Sequence, residues 1–139
     1  MIRFTVVGMA KAQARPRVFT QANGQVRAKS EKTSWYWVVY HSARENAPAI
    51  PLDGPLHMSI VFRLPRPQNA KKDETWAWKK PDIDNLAKAV MDACSNARIW
   101  QDDARIVSLN LEKRLGPPDG AQICICAMDE AARVGEVKS

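Results

Sequence analysis

Four aspartates and one lysine have the types and spacing that phosphodiester chemistry requires. Asp82 and Asp84 stand one residue apart, and Asp102 and Asp103 follow downstream as a pair. Mg²⁺ binds carboxylate oxygens while it keeps several waters, and it can polarise a phosphate and activate water. Lys88, between the two pairs, could stabilise the charge that develops on the phosphate. The pattern therefore indicates a Mg²⁺ site for phosphodiester hydrolysis.

The first acidic pair is expected at the start of a helix. Pro81 suits a first helical turn, so Asp82 and Asp84 fall where unpaired amides favour negative charge. Asp84, Lys88 and Asp92 recur every four residues, which predicts that they share one helix face. An alternative is that Asp84 merely caps the helix and that Lys88 forms ordinary surface ion pairs. That alternative leaves Asp82 and the second acidic pair unexplained.

Cysteine and histidine offer no competing site. Cys94, Cys124 and Cys126 have neither the number nor the spacing of a disulfide framework or a zinc site, and we expect reduced packing residues. His41 and His57 are the only histidines, so a Ser–His or Cys–His nucleophile is poorly supported.

The charge balance favours a polyanionic partner. The chain has 139 residues, enough for one domain, and a formal net charge of +6. Such an excess of positive charge favours nucleic-acid binding. No apolar run reaches the length of a membrane span, and the N-terminus lacks a signal-peptide pattern. We therefore expect a cytoplasmic protein with no membrane partner.

Hydrophobic periodicity predicts an α+β fold in which two main helices pack on one mixed or antiparallel sheet. Strands are predicted at 2–7, 56–64, 105–112 and 122–128. Helices are predicted from an N-cap at Ser30 to Asn46, and from about Asp82–Asp84 to Ala97. Asn23-Gly24 indicates a small basic hairpin. The domain should cover residues 1–130, followed by a charged, flexible tail at 131–139.

Residues 65–81 show no periodicity and predict a long loop. Loops of this length are usually functional or mobile. Trp76 and Trp78 could stack on unpaired bases. They could equally fasten the loop to the body of the protein or to a partner, which the sequence slightly favours. Trp35 and Trp100 lie in apolar patterns and should belong to the core.

The acidic motif and its surroundings resemble the RusA family of Holliday junction resolvases. The run from Lys80 to Lys88, with Asp82-Ile83-Asp84-Asn85-Leu86 at its centre, is similar to the family signature at a helix start. Asp102-Asp103 before a strand matches its second part. The basic stretch from Gly8 to Arg17 looks like that of phage-type members. The resemblance covers roughly residues 2–128.

The resemblance implies a homodimeric, Mg²⁺-dependent endodeoxyribonuclease, in which Mn²⁺ can substitute. Such an enzyme resolves four-way DNA junctions by paired symmetrical cuts during recombination and repair, here in a bacterial or phage-infected cell. It implies that Asp82, Asp84 and Asp103 are catalytic and bind the metal. Lys88 is implied as the catalytic lysine, and Asp102 as a further candidate ligand.

Several basic residues are expected to contact DNA phosphates. They are Lys11, Arg15, Arg17, Lys71, Lys72, Lys79, Lys80 and, by the resemblance, Lys113. The alternative for each is a solvated surface lysine or arginine. Two other functions stay open: a metal nuclease for other branched or single-stranded DNA, and a non-catalytic DNA-binding module. The second needs no acidic cluster.

Overall fold

The computed structural model describes residues 1–12, 17–29 and 32–129, with the backbone alone for 17–19 and 26–29. The predicted tail, Arg15, Ser30 and the side chain of Arg17 lie outside these described residues. The elements are β1 Ile2–Val7, β2 Arg17–Thr20, β3 Val26–Lys29, α1 Ser34–Asn46, β4 Leu56–Leu64, α2 Ile83–Asn96, β5 Ile106–Leu115 and β6 Gly120–Ala127. A single 3-10 turn, Asp103–Arg105, precedes β5.

The main sheet has four strands in the order β1-β6-β4-β5. β4 and β5 are parallel, whereas β6 is antiparallel to both β1 and β4. Parallel neighbours need a crossover connection, and α2 supplies it between β4 and β5. β2 and β3 form a separate antiparallel hairpin. The predicted α+β class, mixed sheet, small hairpin and two helices are confirmed.

The core lies between one face of this sheet and the two helices. β4 alternates strictly, so that its odd-numbered residues are half-buried on the other face. The buried β4 residues are Leu56, Met58, Ile60, Phe62 and Leu64. Helix α2 contributes an apolar stripe to this core, with Leu86, Val90, Ala93, Cys94 and Ala97 fully buried in the same cluster. Burial of this stripe turns the opposite face of α2 outward.

Helix α1 begins later than the periodicity predicted. Thr33 is its N-cap, and the Thr33 Oγ1 accepts a hydrogen bond from the backbone N–H of Tyr36 at 3.2 Å. Val38 is 41% exposed on this helix. Trp35, as predicted, and Tyr36 are buried, since α1 packs against β1 as well as α2. No helix in the described ranges is long and apolar enough to cross a membrane.

The long loop before α2 is fastened to the sheet. The Arg66 guanidinium donates to the carbonyl oxygens of Lys71 and Glu74. The Ala77 N–H donates to the Lys113 carbonyl at 3.0 Å, and the Leu115 N–H donates to the Thr75 carbonyl at 2.7 Å. The loop therefore lies along the C-terminal end of β5.

Candidate active site: a charged depression between α2 and β5

A shallow depression of about 300 Å³ separates α2 from β5. Its charged side chains come from the exposed face of α2 and from the turn before β5, whereas its other side chains are apolar. The lining residues are Asp84, Ala87, Lys88, Met91, Asp92, Asp103, Leu109 and Leu111. The structure thus brings three of the four predicted catalytic residues to one surface.

Helical spacing positions the residues that α2 contributes. Asp84 lies in the first turn, and Lys88 and Asp92 follow one and two turns later on the same face. The expectation that Asp84, Lys88 and Asp92 share a face is confirmed, since all three line the depression. The negative charge of Asp84 is also favourable near the helix N-terminus.

A buried tryptophan orients Asp103. The Nε1–H of Trp100, a fully buried side chain, donates to the Asp103 Oδ1 at 2.8 Å. A carboxylate has a second oxygen, so this hydrogen bond fixes the group without using all of its lone pairs. Trp100 belongs to the core as predicted, but its contact with Asp103 was missed by sequence reasoning. The apolar pattern around Trp100 gives no sign of a polar partner.

Cys94 lies close enough to the site to respond to its charge. Burial, with a smaller contribution from the negative charge of Asp103, raises the pKa of the Cys94 thiol to about 12. The side chain is therefore a neutral thiol at physiological pH and is neither an activated nucleophile nor a thiolate ligand. Its predicted packing role is confirmed.

Asp82 and Asp102 do not line the depression. Asp82 is the N-cap of α2, and the Lys80 Nζ donates to its Oδ1 at 2.7 Å. Asp102 caps the turn before β5, where its Oδ1 accepts from the Ala104 N–H at 2.8 Å. Both acids thus lie beside the members of the site that follow them in sequence, Asp84 and Asp103.

The oxygen donors of the depression suit a hard cation. Mg²⁺ is usually held by one or two carboxylates, several waters and substrate phosphates. Asp84 and Asp103 supply such carboxylates on one surface. Throughout residues 1–12, 17–29 and 32–129, however, no three Asp, Glu, His or Cys side chains form a ready metal-ion cluster. The predicted convergence of Asp82, Asp84 and Asp103 is therefore not preassembled in the single chain.

The Lys113 side chain contacts the backbone of the segment before α2. Its ammonium donates to the carbonyl oxygens of Lys79 and Pro81, at 2.7 and 2.6 Å. These bonds fix the segment that leads into α2, and the DNA contact predicted for Lys113 stays a prediction. The sequence could not reveal these bonds, because 32 and 34 positions separate the partners.

Replacement of Lys113 by Met is expected to slow DNA cleavage about ten-fold and to lower the stability by about 1–3 kcal/mol. The reason is that two carbonyl groups lose charge-assisted donors and the start of α2 loosens. Single-turnover cleavage and thermal unfolding would measure the two effects. Arg3→Met removes one positive charge at the opposite edge of the sheet and should change neither. Weaker DNA binding with an unchanged cleavage rate would instead support the predicted contact between Lys113 and DNA.

The remaining basic candidates are exposed where the structure describes their side chains. These residues are Lys11, Lys71, Lys72, Lys79 and Lys80. Lys79 places its ammonium 5.3 Å from the centre of the Trp78 ring. Their positions are compatible with phosphate contacts, which stay a prediction.

The two loop tryptophans have different surroundings. The Arg114 guanidinium lies 4.8 Å from the centre of the Trp76 ring, and the backbone of Trp76 bridges to β5. Trp76 therefore fastens the loop to the body, one of the two predicted roles. Trp78 is 70% exposed, and its Nε1–H donates to the Glu74 Oε1 at 2.6 Å.

Comparison with known proteins gives matches along most of the chain. The sequence profile described as "Endodeoxyribonuclease RusA" matches residues 8–125. The "Uncharacterized protein YqaN" of Bacillus subtilis (strain 168) is 36% identical over 124 residues, which cover 81% of this chain and 86% of that protein. The "Crossover junction endodeoxyribonuclease rusA" of Lactococcus phage r1t is 38% identical over 61 residues, which cover 42% of this chain and 44% of that protein.

Proposed function

Because the chain belongs to the RusA family of endodeoxyribonucleases, we propose that it resolves four-way DNA junctions by Mg²⁺-dependent, paired symmetrical cuts. The observation that carries this proposal is the depression between α2 and β5. There Asp84, Lys88 and Asp103 share a surface with Asp92. The name of the phage relative, a crossover junction enzyme, agrees with this substrate. We place the activity in recombination and repair, in the cytoplasm of a bacterial or phage-infected cell.

The acids would hold the metal and the lysine would act on the phosphate. We assign Asp84 and Asp103 as ligands within the depression, and Asp82 and Asp102 as neighbouring candidates. When bound, Mg²⁺, or Mn²⁺ in its place, supplies phosphate polarisation and an activated water. The Lys88 ammonium stabilises negative charge developing on the phosphate.

Two residues position this machinery. The Trp100 indole holds the Asp103 carboxylate toward the depression, and it does so from a fully buried site that water does not reach. Lys113 fixes the backbone at Lys79 and Pro81, immediately before the Asp82 N-cap. The acids are thus held by rigid elements on both sides of the depression, which favours a defined geometry for the reacting phosphate.

Basic residues around the long loop would provide the binding surface. Lys71, Lys72, Lys79 and Lys80 are exposed on the segment that leads to the acids. Each phosphate contact releases counterions, so affinity should fall steeply as salt is raised. Lys11, Arg15 and Arg17 would extend the contacts toward the hairpin.

The exposed side of β5 supports a homodimer. β5 is an outer strand of the main sheet, and its residues Val107 and Leu109 are 59% and 43% exposed. Exposed apolar side chains on an outer strand favour a covering partner. A second copy related by a two-fold axis would also present a second site to the symmetry-related strand of the junction.

Cleavage of a labelled mobile four-way junction, beside a matched linear duplex, tests the proposal. With Mg²⁺ or Mn²⁺ we expect paired symmetrical nicks in the junction alone, and none with EDTA. Flap and single-stranded substrates in the same assay would detect a nuclease of different preference. Tight, salt-sensitive binding without cleavage under any divalent metal would contradict the enzyme and favour a non-catalytic binding module.

A further inference from the structure

A second hollow, of about 350 Å³, lies under the loop before α2. Its inner wall is apolar and includes the last residues of β4 and β5, Leu64 and Leu115. Trp76 and Trp78, both more than half exposed, also line it. The volume lies in the range of small-ligand sites, and aromatic walls of this kind suit a flat, apolar ring.

The Trp78 ring is held in place although it is exposed. Its Nε1–H donates to the Glu74 Oε1, while the Glu74 Oε2 accepts from the Lys71 N–H at 3.2 Å. The Arg66 guanidinium closes the same turn through the Lys71 and Glu74 carbonyls. An exposed tryptophan fixed by its own polar edge offers the flat face that Lys79 does not cover to a ligand, without first losing conformational freedom.

The rim of the hollow is cationic. Lys71, Lys79 and Lys80 line it, and Glu74 is the single acid among the described lining residues. The Glu74 carboxylate is already engaged by Trp78 and by the backbone, and these contacts hold its pKa below the usual range. An aromatic side chain and lysines that line the same hollow match a nucleotide, whose base is flat and whose phosphate is anionic.

The hollow is joined to the start of α2. Lys80 and Pro81 line it, and the chain then passes directly to Asp82 and Asp84. Lys113 fixes the shared segment through the Lys79 and Pro81 carbonyls. A nucleotide in the hollow would therefore lie beside DNA that enters the charged depression.

We propose that this hollow binds one unpaired nucleobase of the DNA, stacked against Trp78, with the adjacent phosphate on Lys79 and Lys80. The proposal rests on the proposed junction function, because the exchange point of a junction is where bases are most easily unstacked. The flat ring of the base is the recognised group, and any of the four bases can bind, since every base has a stacking face.

Binding to junctions with abasic sites at the exchange point tests this subsite. In an Asp84→Asn background, which prevents cleavage, we expect abasic substitution to weaken binding roughly ten-fold, as removal of one stacked base does. Trp78→Ala should weaken binding to the intact junction by a similar factor and abolish the difference between intact and abasic DNA. Trp78→Phe, which keeps an aromatic ring, should retain part of the difference in binding between intact and abasic DNA. Fluorescence anisotropy at fixed salt measures all of these.

Trp37→Ala is the matched control, because it removes a half-exposed tryptophan from α1 and should preserve the discrimination against abasic DNA. Thermal unfolding would verify that Trp78→Ala is folded. If folded Trp78→Ala still distinguishes intact from abasic junctions, the subsite is wrong. Equal binding of intact and abasic junctions by the parent would also overturn it.

A short oligothymidylate and its abasic counterpart separate this proposal from the junction function. Trp78-dependent preference for the oligonucleotide with bases, in a protein that cuts no junction, would support the subsite and contradict the resolvase. Cleavage of junctions without any Trp78-dependent preference in either assay would do the reverse.

Discussion

Asp84→Asn is expected to lower junction cleavage by about a thousand-fold or more while junction binding stays equal or becomes tighter. The substitution keeps the size of the side chain but removes one anionic metal ligand, and such charge stabilisation is worth several kcal/mol in the transition state. It also removes a negative charge that repels DNA phosphates. Because Asp84 is exposed in the first turn of α2, the stability should fall by only about 0.3–1 kcal/mol.

Single-turnover cleavage with Mg²⁺ and junction binding in EDTA would measure these two effects separately. Asp129→Asn, at an exposed position after β6, removes the same charge outside the depression and should leave both unchanged. A cleavage rate of Asp84→Asn within ten-fold of the parent rate would contradict the assignment of Asp84 as a metal ligand. Loss of binding in a folded variant would instead make Asp84 a DNA-binding residue.

Lys88→Met is the second large effect, an expected loss of about a hundred-fold or more in the rate of cleavage. The lysine lies in the depression between Asp84 and Asp92, on the same face of α2. A preorganised charge directed at a developing phosphate charge typically contributes this much. An ordinary surface ion pair on a helix contributes only about 0.2–0.5 kcal/mol, so the two roles predict very different results.

The rate at saturating enzyme distinguishes the roles of Lys88. A catalytic lysine lowers this rate, whereas a lysine that only binds DNA raises the concentration needed to reach it. Arg98→Met provides the control, since Arg98 is an exposed cation just beyond α2 and does not line the depression. Near-parental cleavage by Lys88→Met, with a slightly lower melting temperature, would reduce Lys88 to an ion-pair partner.

Local periodicity was enough to predict most of the fold. β4 covers the predicted residues 56–64, and α2 ends within one residue of the predicted Ala97. The α+β fold class was also predicted, because segments with helical hydrophobic periodicity and segments with strand periodicity occupy different parts of the chain. The start of α1 was misplaced because Thr33 and Ser30 are both acceptable N-cap residues. Which of them begins the helix depends on the stabilisation that α1 gains by packing against β1 and α2.

The site was predicted in part. The spacing of Asp84, Lys88 and Asp92 determined that they share a face, because a helix repeats every 3.6 residues wherever it lies. The position of Asp103 did not follow from spacing, since it depends on which strand β5 joins. The parallel pairing with β4 returns the chain alongside α2 and brings Asp103 to the same depression.

The sequence by itself determined which functional groups are present: hard oxygen donors, a lysine one helical turn away, and basic side chains for phosphates. Only the tertiary structure decided that Trp100 orients Asp103 and that Lys113 fixes the approach to α2. It also decided that Trp78 lines a hollow and that Asp82 lies outside the depression that Asp84 and Asp103 line. The reason is that side-chain type and local period are properties of neighbouring residues, whereas these contacts depend on strand order and crossover geometry across the whole domain.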